Sequence, residues 1–137
     1  MARSNAVTKM REIAESSSDP KEAILTALGK HDTHVFHSKV LVATYVRPAK
    51  TKSGIYLADK TIEEDRYQGT IFLVVGLGKG AFKDDNIAKF NGDKIKVGDW
   101  VMGVAGDGIA MFINGVPCRL FDDTRVLMRV KDPELYF

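Results

Sequence analysis

Beyond residue 36, short blocks of apolar residues alternate with polar, glycine-containing breaks. "KVLVATYV" (Lys39–Val46) and "TIFLVV" (Thr70–Val75) are rich in β-branched and aromatic side chains, the composition of strands. "DWVMGVA" (Asp99–Ala105) follows a "KVGD" turn and predicts another strand. "IAMFI" and "VPCRLF" flank Asn114-Gly115, a pair suited to a two-residue hairpin because both turn positions need positive φ. "RVLMRV" (Arg125–Val130) closes the series. Short strands with glycine-rich turns and no helices between them predict a mainly β chain, a small antiparallel barrel or sandwich.

Residues 1–35 carry a different period. Ser4 can cap a helix whose apolar positions Val7, Met10, Ile13 and Ala14 share one face. "SSSD" interrupts it, and Asp19, Pro20 and Glu22 form a second start: a capping aspartate, proline at the first helical position, and a glutamate placed to cap back. Ala23, Ile24, Ala27 and Leu28 supply the apolar stripe, and Gly29 suits the terminus. Two short helices are expected. Neither buries its stripe alone, so they are expected to dock on the barrel or on a neighbouring subunit. The organisation is thus a helical extension over 1–35 and a β domain over 36–137.

Two connections exceed hairpin length, Arg47 to Gln68 and Gly76 to Lys96. Loops beyond about 12–15 residues in a compact domain are usually functional or disordered. The first contains "TKSGIYLADK", where Ile55, Tyr56 and Leu57 stand together among charged residues. Neither strand nor amphipathic-helix periodicity accounts for three consecutive apolar positions there. Composition leaves two readings, an accessory strand tucked onto the barrel or an exposed binding motif. The polar flanks "AKTKS" and "DKTIEED" favour exposure.

Composition narrows the classes further. The 137 residues are 45% hydrophobic and 28% charged, as in globular rather than disordered chains. A net charge of +2 gives no argument for nucleic acid or an anionic membrane. The single cysteine, Cys118, cannot form an internal disulfide. No apolar run approaches a membrane span, and Glu12 and Glu15 weigh against reading the basic, serine-containing start as a transit peptide. A reducing cytoplasm is the expected compartment.

Catalytic and cofactor chemistry finds little support. "GLGKGA" (Gly76–Ala81) satisfies a dinucleotide-binding pattern, but that chemistry needs a helix start after the glycines, and "FKDDNIAKFNGDKIKVGD" leaves no room for a crossover helix. His31, His34 and His37 are spaced three apart between a glycine-terminated helix and a strand, where solvated linker histidines are the simpler reading than a metal site. Cys118 lies in a strand and reads as a buried structural thiol. Glu63, Glu64 and Asp65 read as a solvated charge run. No catalytic constellation, metal site or cofactor is expected.

With strands and loops placed, the chain resembles the GroES-like co-chaperonin family. "FHSKVLVATYVRPAKTKSGIYL" runs without a gap against that family's first strand and mobile loop, which ends in Gly-Ile-Val-Leu. "YQGTIFLVVG" is similar to its Arg-Gly-Glu-Val-Leu-Ala-Val-Gly segment, and "KVGDWVM" to the Lys-Val-Gly-Asp turn and following strand. "GIAMFINGVPCRLFDDTRVLMRV" resembles the closing hairpin and last strand in spacing. The resemblance covers residues 36–130.

The resemblance implies a partly open GroES-like β-barrel. It implies a seven-membered homo-oligomeric ring that caps a GroEL-type chaperonin and encloses unfolded substrate protein, with no enzymatic activity. Residues 47–68 would be the mobile loop and 76–96 the place of the roof hairpin. Gly54 would give the loop its turn, and Ile55, Tyr56 and Leu57 would dock on the chaperonin. Pairing of first and last strands between adjacent subunits would involve Lys39–Val46 and Val126–Val130, with Val40, Val42, Val126 and Met128 at the seam. Tyr56 stands where the family has a smaller aliphatic residue, and one glycine where it often has two. The N-terminal helices and the "KDPELYF" tail lack a counterpart, which looks like a phage-encoded or otherwise specialised member. The alternative from another class is a structural ring or decoration protein of a virion built on the same barrel. A nucleotide-dependent enzyme, resting on "GLGKGA" alone, ranks third.

Overall fold

The computed structural model describes residues 12, 13, 15, 19–46, 70–83 and 94–136. Helix α1 (Pro20–Leu28) starts where its sequence signals stand. Asp19 is extended (φ −92°, ψ 108°), and its carboxylate accepts the Lys21 backbone N–H at 3.1 Å, satisfying one of the helix's orphan donors. Gly29, at φ 57°, ends the helix and donates its N–H to the Leu25 carbonyl at 3.1 Å. Ala23, Ile24 and Leu28 form the buried stripe. Of the other expected helix, Glu12, Ile13 and Glu15 are helical and Ile13 is buried, while Ser4, Val7, Met10 and Ala14 lie outside the described residues.

Among the described residues six strands follow: β1 (Lys39–Thr44), β2 (Ile71–Leu77), β3 (Trp100–Met102), β4 (Ile109–Ile113), β5 (Val116–Asp122) and β6 (Met128–Val130). They make one antiparallel sheet in the order β4-β5-β1-β2-β3-β6. Its ends, β4 and β6, are not joined, so the mainly β fold is a partly open barrel as expected. The Asn114-Gly115 hairpin forms with both residues at positive φ, 50° and 80°, pairing Ile113 with Val116. β1 meets β2 with a register shift at Leu41/Val42, where Val75 is the extra residue between Gly76 and Val74.

Some expected strands are shorter than their apolar runs. Tyr45 and Val46 are buried although they lie beyond β1; the Tyr45 N–H still reaches the Ile71 carbonyl, and both side chains pack into the core. β3 stops before Gly103, whose position leaves a would-be Cβ only 3.3 Å from the Phe72 ring. Asp123–Arg125 form a 3-10 turn, so the last strand begins at Met128 rather than Arg125.

β1 divides the core. Leu41, Ala43 and Tyr45 face one way, against Ile71, Leu73, Trp100, Cys118 and the α1 residues Ala23, Ile24 and Leu28. Val40 and Val42 face the other way, against Phe72, Val74, Phe82, Val101 and Phe121. Aromatic rings meet edge-on on both sides: Tyr45 with Trp100 at 5.3 Å, and Phe72 with Phe121 at 5.7 Å. Polar groups fix the covering pieces. The Asn114 side-chain amide donates to the Leu28 carbonyl, tying the hairpin tip to the end of α1. Buried Asp123 accepts the Phe82 N–H at 3.0 Å, locking the turn after β2 onto the second face.

Two stability outcomes follow from this packing. Asp123→Ala leaves the Phe82 N–H facing an empty buried site and is expected to cost about 1–3 kcal/mol in urea unfolding, with Asp123→Asn, which keeps an acceptor oxygen, costing less. Ile24→Ala is expected to lose about 2–5 kcal/mol, the range for a large-to-small change in a packed core. A loss near zero for Ile24→Ala would show that α1 does not share the barrel's core.

Candidate functional site

The long connection after β1 is held at both roots. Tyr45 and Val46 are 1% and 3% exposed, and the Tyr45 N–H donates to the Ile71 carbonyl at 3.0 Å. On the far side, the Thr70 carbonyl accepts the Gly103 N–H at 2.8 Å. Antiparallel pairing of β1 and β2 therefore presents the two roots next to each other at one end of the sheet. Gly54, Ile55, Tyr56 and Leu57 lie outside the described residues, as does the rest of 47–69.

The four residues expected at a subunit seam divide into two kinds. Val40 and Val42 are fully buried, and both edges of β1 are hydrogen-bonded within the subunit, to β2 and to β5. β1 therefore has no edge to offer a neighbour. Val126 is half-buried against the second core cluster, and Met128 is 40% exposed on β6. Among the described residues β6 pairs only with β3, which leaves its outer edge open there. β4 is the other open edge, and there Ile109 and Phe112 are 66% and 51% exposed. Sequence pattern marked "IAMFI" as a strand but gave no sign that it would stand at an edge.

A protein-family model described as the chaperonin 10 kDa subunit (Cpn10) matches residues 32–130, a span holding all six strands and omitting α1. The chain belongs to this family. Membership carries a co-chaperonin role, partnership with a GroEL-type chaperonin, and oligomerisation as general family properties. No curated protein matches the chain.

In this Cpn10-family chain, "GLGKGA" serves the fold. The N–H groups of Gly78, Gly80, Ala81 and Phe82 are taken by Lys39 O (2.9 Å), His37 O (3.0 Å), Gly78 O (3.0 Å) and Asp123 Oδ2 (3.0 Å). Those amides are unavailable to cradle a phosphate. Gly78 is required by contact, since a Cβ there would collide with the carbonyl oxygens of Phe36 and His37. Residues 79–82 form turns, and 84–93 of the expected roof connection lie outside the described residues.

The histidines do not converge. His31 Nδ1 lies 2.8 Å from Thr33 Oγ1, the His34 ring lies tilted at 49° against exposed Phe36 with centroids 5.0 Å apart, and His37 sits in a turn at φ 57°. Among the described residues, no group of three or more His, Cys, Asp or Glu is placed to hold a metal ion. No helix among them is long and apolar enough to cross a membrane.

One ion-pair motif ties the sheet end together. Arg125 grips Asp107 through two bonds, Nε to Oδ2 at 2.9 Å and Nη2 to Oδ1 at 2.8 Å, while Arg119 donates to the Asp107 carbonyl at 3.2 Å. The Arg125 hydrogen bonds hold the Asp107 carboxyl below its ordinary range, with attraction to Arg125 and Arg119 acting in the same direction against desolvation. The tie is therefore intact at neutral pH and is lost only as acid protonates Asp107.

Cys118 is 2% exposed, and burial pushes its thiol up to about 12. At pH 8 its thiolate fraction is on the order of 10⁻⁴, so it is a packing residue. A disulfide reagent is expected to leave native Cys118 unmodified at pH 8 and to label it stoichiometrically in denaturant. Rapid labelling of the folded protein would contradict a buried structural role.

Proposed function

We propose that the chain is a cytoplasmic co-chaperonin subunit that assembles into a seven-membered ring, caps a GroEL-type chaperonin, and helps enclose unfolded substrate protein. Ile55, Tyr56 and Leu57 are the docking residues, and Gly54 supplies the turn before them. The match of the whole six-stranded sheet to the chaperonin 10 kDa family is the observation that carries this reading. The adjacent, hydrogen-bonded roots of the 47–69 connection support it by giving that segment a rigid base. Subunits meet along the open edge of β6, where Met128 and Val126 contribute apolar surface; Val40 and Val42 act from within by keeping the sheet rigid.

The energetics suit reversible capping. Each apolar side chain can contribute at most about 1.5–3 kcal/mol on burial, and ordering its loop cancels much of that. If each of seven loops nets about 1–2 kcal/mol, the ring approaches the ~12 kcal/mol of nanomolar binding. A single copy binds weakly. Multiplication by symmetry makes the lid firm yet releasable when its partner changes shape.

Ile55→Ser and Leu57→Ser are each expected to leave assembly intact and to abolish capping. The measurement is electron microscopy of the variant mixed with a GroEL-type double ring and nucleotide, where wild type should give seven-fold caps at the ends. Tyr56→Val is expected to retain capping, because a hydroxyl-bearing position suits a partly wet contact. Capping by either serine variant at wild-type affinity would overturn the docking assignment. Strong amide protection over residues 50–64 in the free protein would instead favour the virion-component reading, in which the triplet is permanently packed.

A further inference from the structure

Apart from the docking segment and the sheet edges, one unassigned feature is a cleft of about 460 Å³ lined by Lys21, Gly98, Asp99, Trp100, Arg129, Val130 and Lys131. Its size falls within the range of small-molecule sites. Three cations from separate parts of the fold converge there against one carboxylate: Lys21 from the first turn of α1, Arg129 from β6, and Lys131 just after it. The carboxylate is engaged, since Asp99 Oδ2 accepts the Lys96 N–H at 2.9 Å. Arg129 is oriented by one bond, Nη1 to the Lys94 carbonyl at 3.2 Å, which leaves the remaining guanidinium donors for another acceptor. Gly98, at φ 99°, carries no side chain into the space, and a Cβ there would stand 3.3 Å from the Lys21 ammonium.

We propose that this cleft binds a multiply charged phosphate group, either as free inorganic pyrophosphate or as the polyphosphate of a nucleotide. A concave site with a surplus of one charge sign concentrates counter-ions, and a guanidinium fork suits phosphate oxygens. The Asp107–Arg125 pair marks the contrast: that guanidinium is consumed by a carboxylate inside the subunit, whereas Arg129, Lys131 and Lys21 face a common open space. Arg129 also borders the β6 edge, so an occupied cleft would neutralise cations beside the seam proposed above. Binding itself does not depend on capping, and its test is separate.

Trp100 is the chain's single tryptophan and forms a wall of the cleft, so its fluorescence reports occupancy directly. The full-length protein would be titrated with pyrophosphate and, in parallel, with ATP, at ionic strength held constant with sodium chloride, and calorimetry would register any spectroscopically silent event. A saturable response is expected, with Arg129→Gln and Lys131→Gln each raising half-saturation about tenfold, the loss of one charge-assisted contact. Lys79→Gln, a change at an exposed lysine outside the cleft, should titrate like wild type. Equal half-saturation for the two ligands identifies phosphate alone as the determinant, and tighter ATP binding identifies a nucleotide; both outcomes support the site. The absence of saturation by either ligand would overturn the proposal. So would a Lys21→Gln/Arg129→Gln/Lys131→Gln triple variant that binds as wild type.

Discussion

The structure depends on a strand with no free side. β1 is hydrogen-bonded along both edges and buried on both faces, with Val40, Leu41, Val42 and Ala43 at most 1% exposed. Two apolar faces demand two covers. On one, α1 brings Ala23, Ile24 and Leu28; on the other, the turn after β2 brings Phe82. Each cover is fastened by a polar bond whose geometry only a specific side chain supplies, Asn114 to Leu28 and Asp123 to Phe82.

This arrangement explains which parts of the fold were legible in the sequence. "KVLVAT" reads as a continuous apolar run rather than an alternating one, which is how a doubly covered strand appears. Asp19-Pro20 and Gly29 marked α1 because capping is local chemistry, and Asn114-Gly115 marked the hairpin because positive φ is a local demand. Strand order is a different matter. Nothing in "IAMFI" distinguishes an edge strand from a central one, since its local cue is the hairpin to β5 and whether a second strand lies on its other side is decided elsewhere in the chain. The same reason hid the burial of both edges of β1 and with it the unsuitability of Val40 and Val42 as surface contacts.

The triplet proposed to dock and the basic cleft sat at opposite extremes of visibility. Ile55, Tyr56 and Leu57 stand out in sequence because contiguous apolar residues in a charged stretch break every local template. Lys21, Arg129 and Lys131 are unremarkable singly, in a chain with twenty basic residues. Only the folding of α1 across the sheet, with its first turn beside Gly98 and its last beside Asn114, gathers them. The extension that lies outside the family-matched span is thus structural to the barrel and also furnishes one wall of its neighbouring cleft.

The bond from Asn114 to Leu28 joins residues 86 positions apart. During synthesis at about 5–20 residues per second, α1 would wait roughly 4–17 s before its fastening hairpin is even polymerised. Over that interval Ile24 and Leu28 are a greasy stretch on a nascent chain with no finished sheet to rest on. A polypeptide of the protein-folding machinery therefore passes through the same vulnerable stage as the clients such machinery exists to shelter.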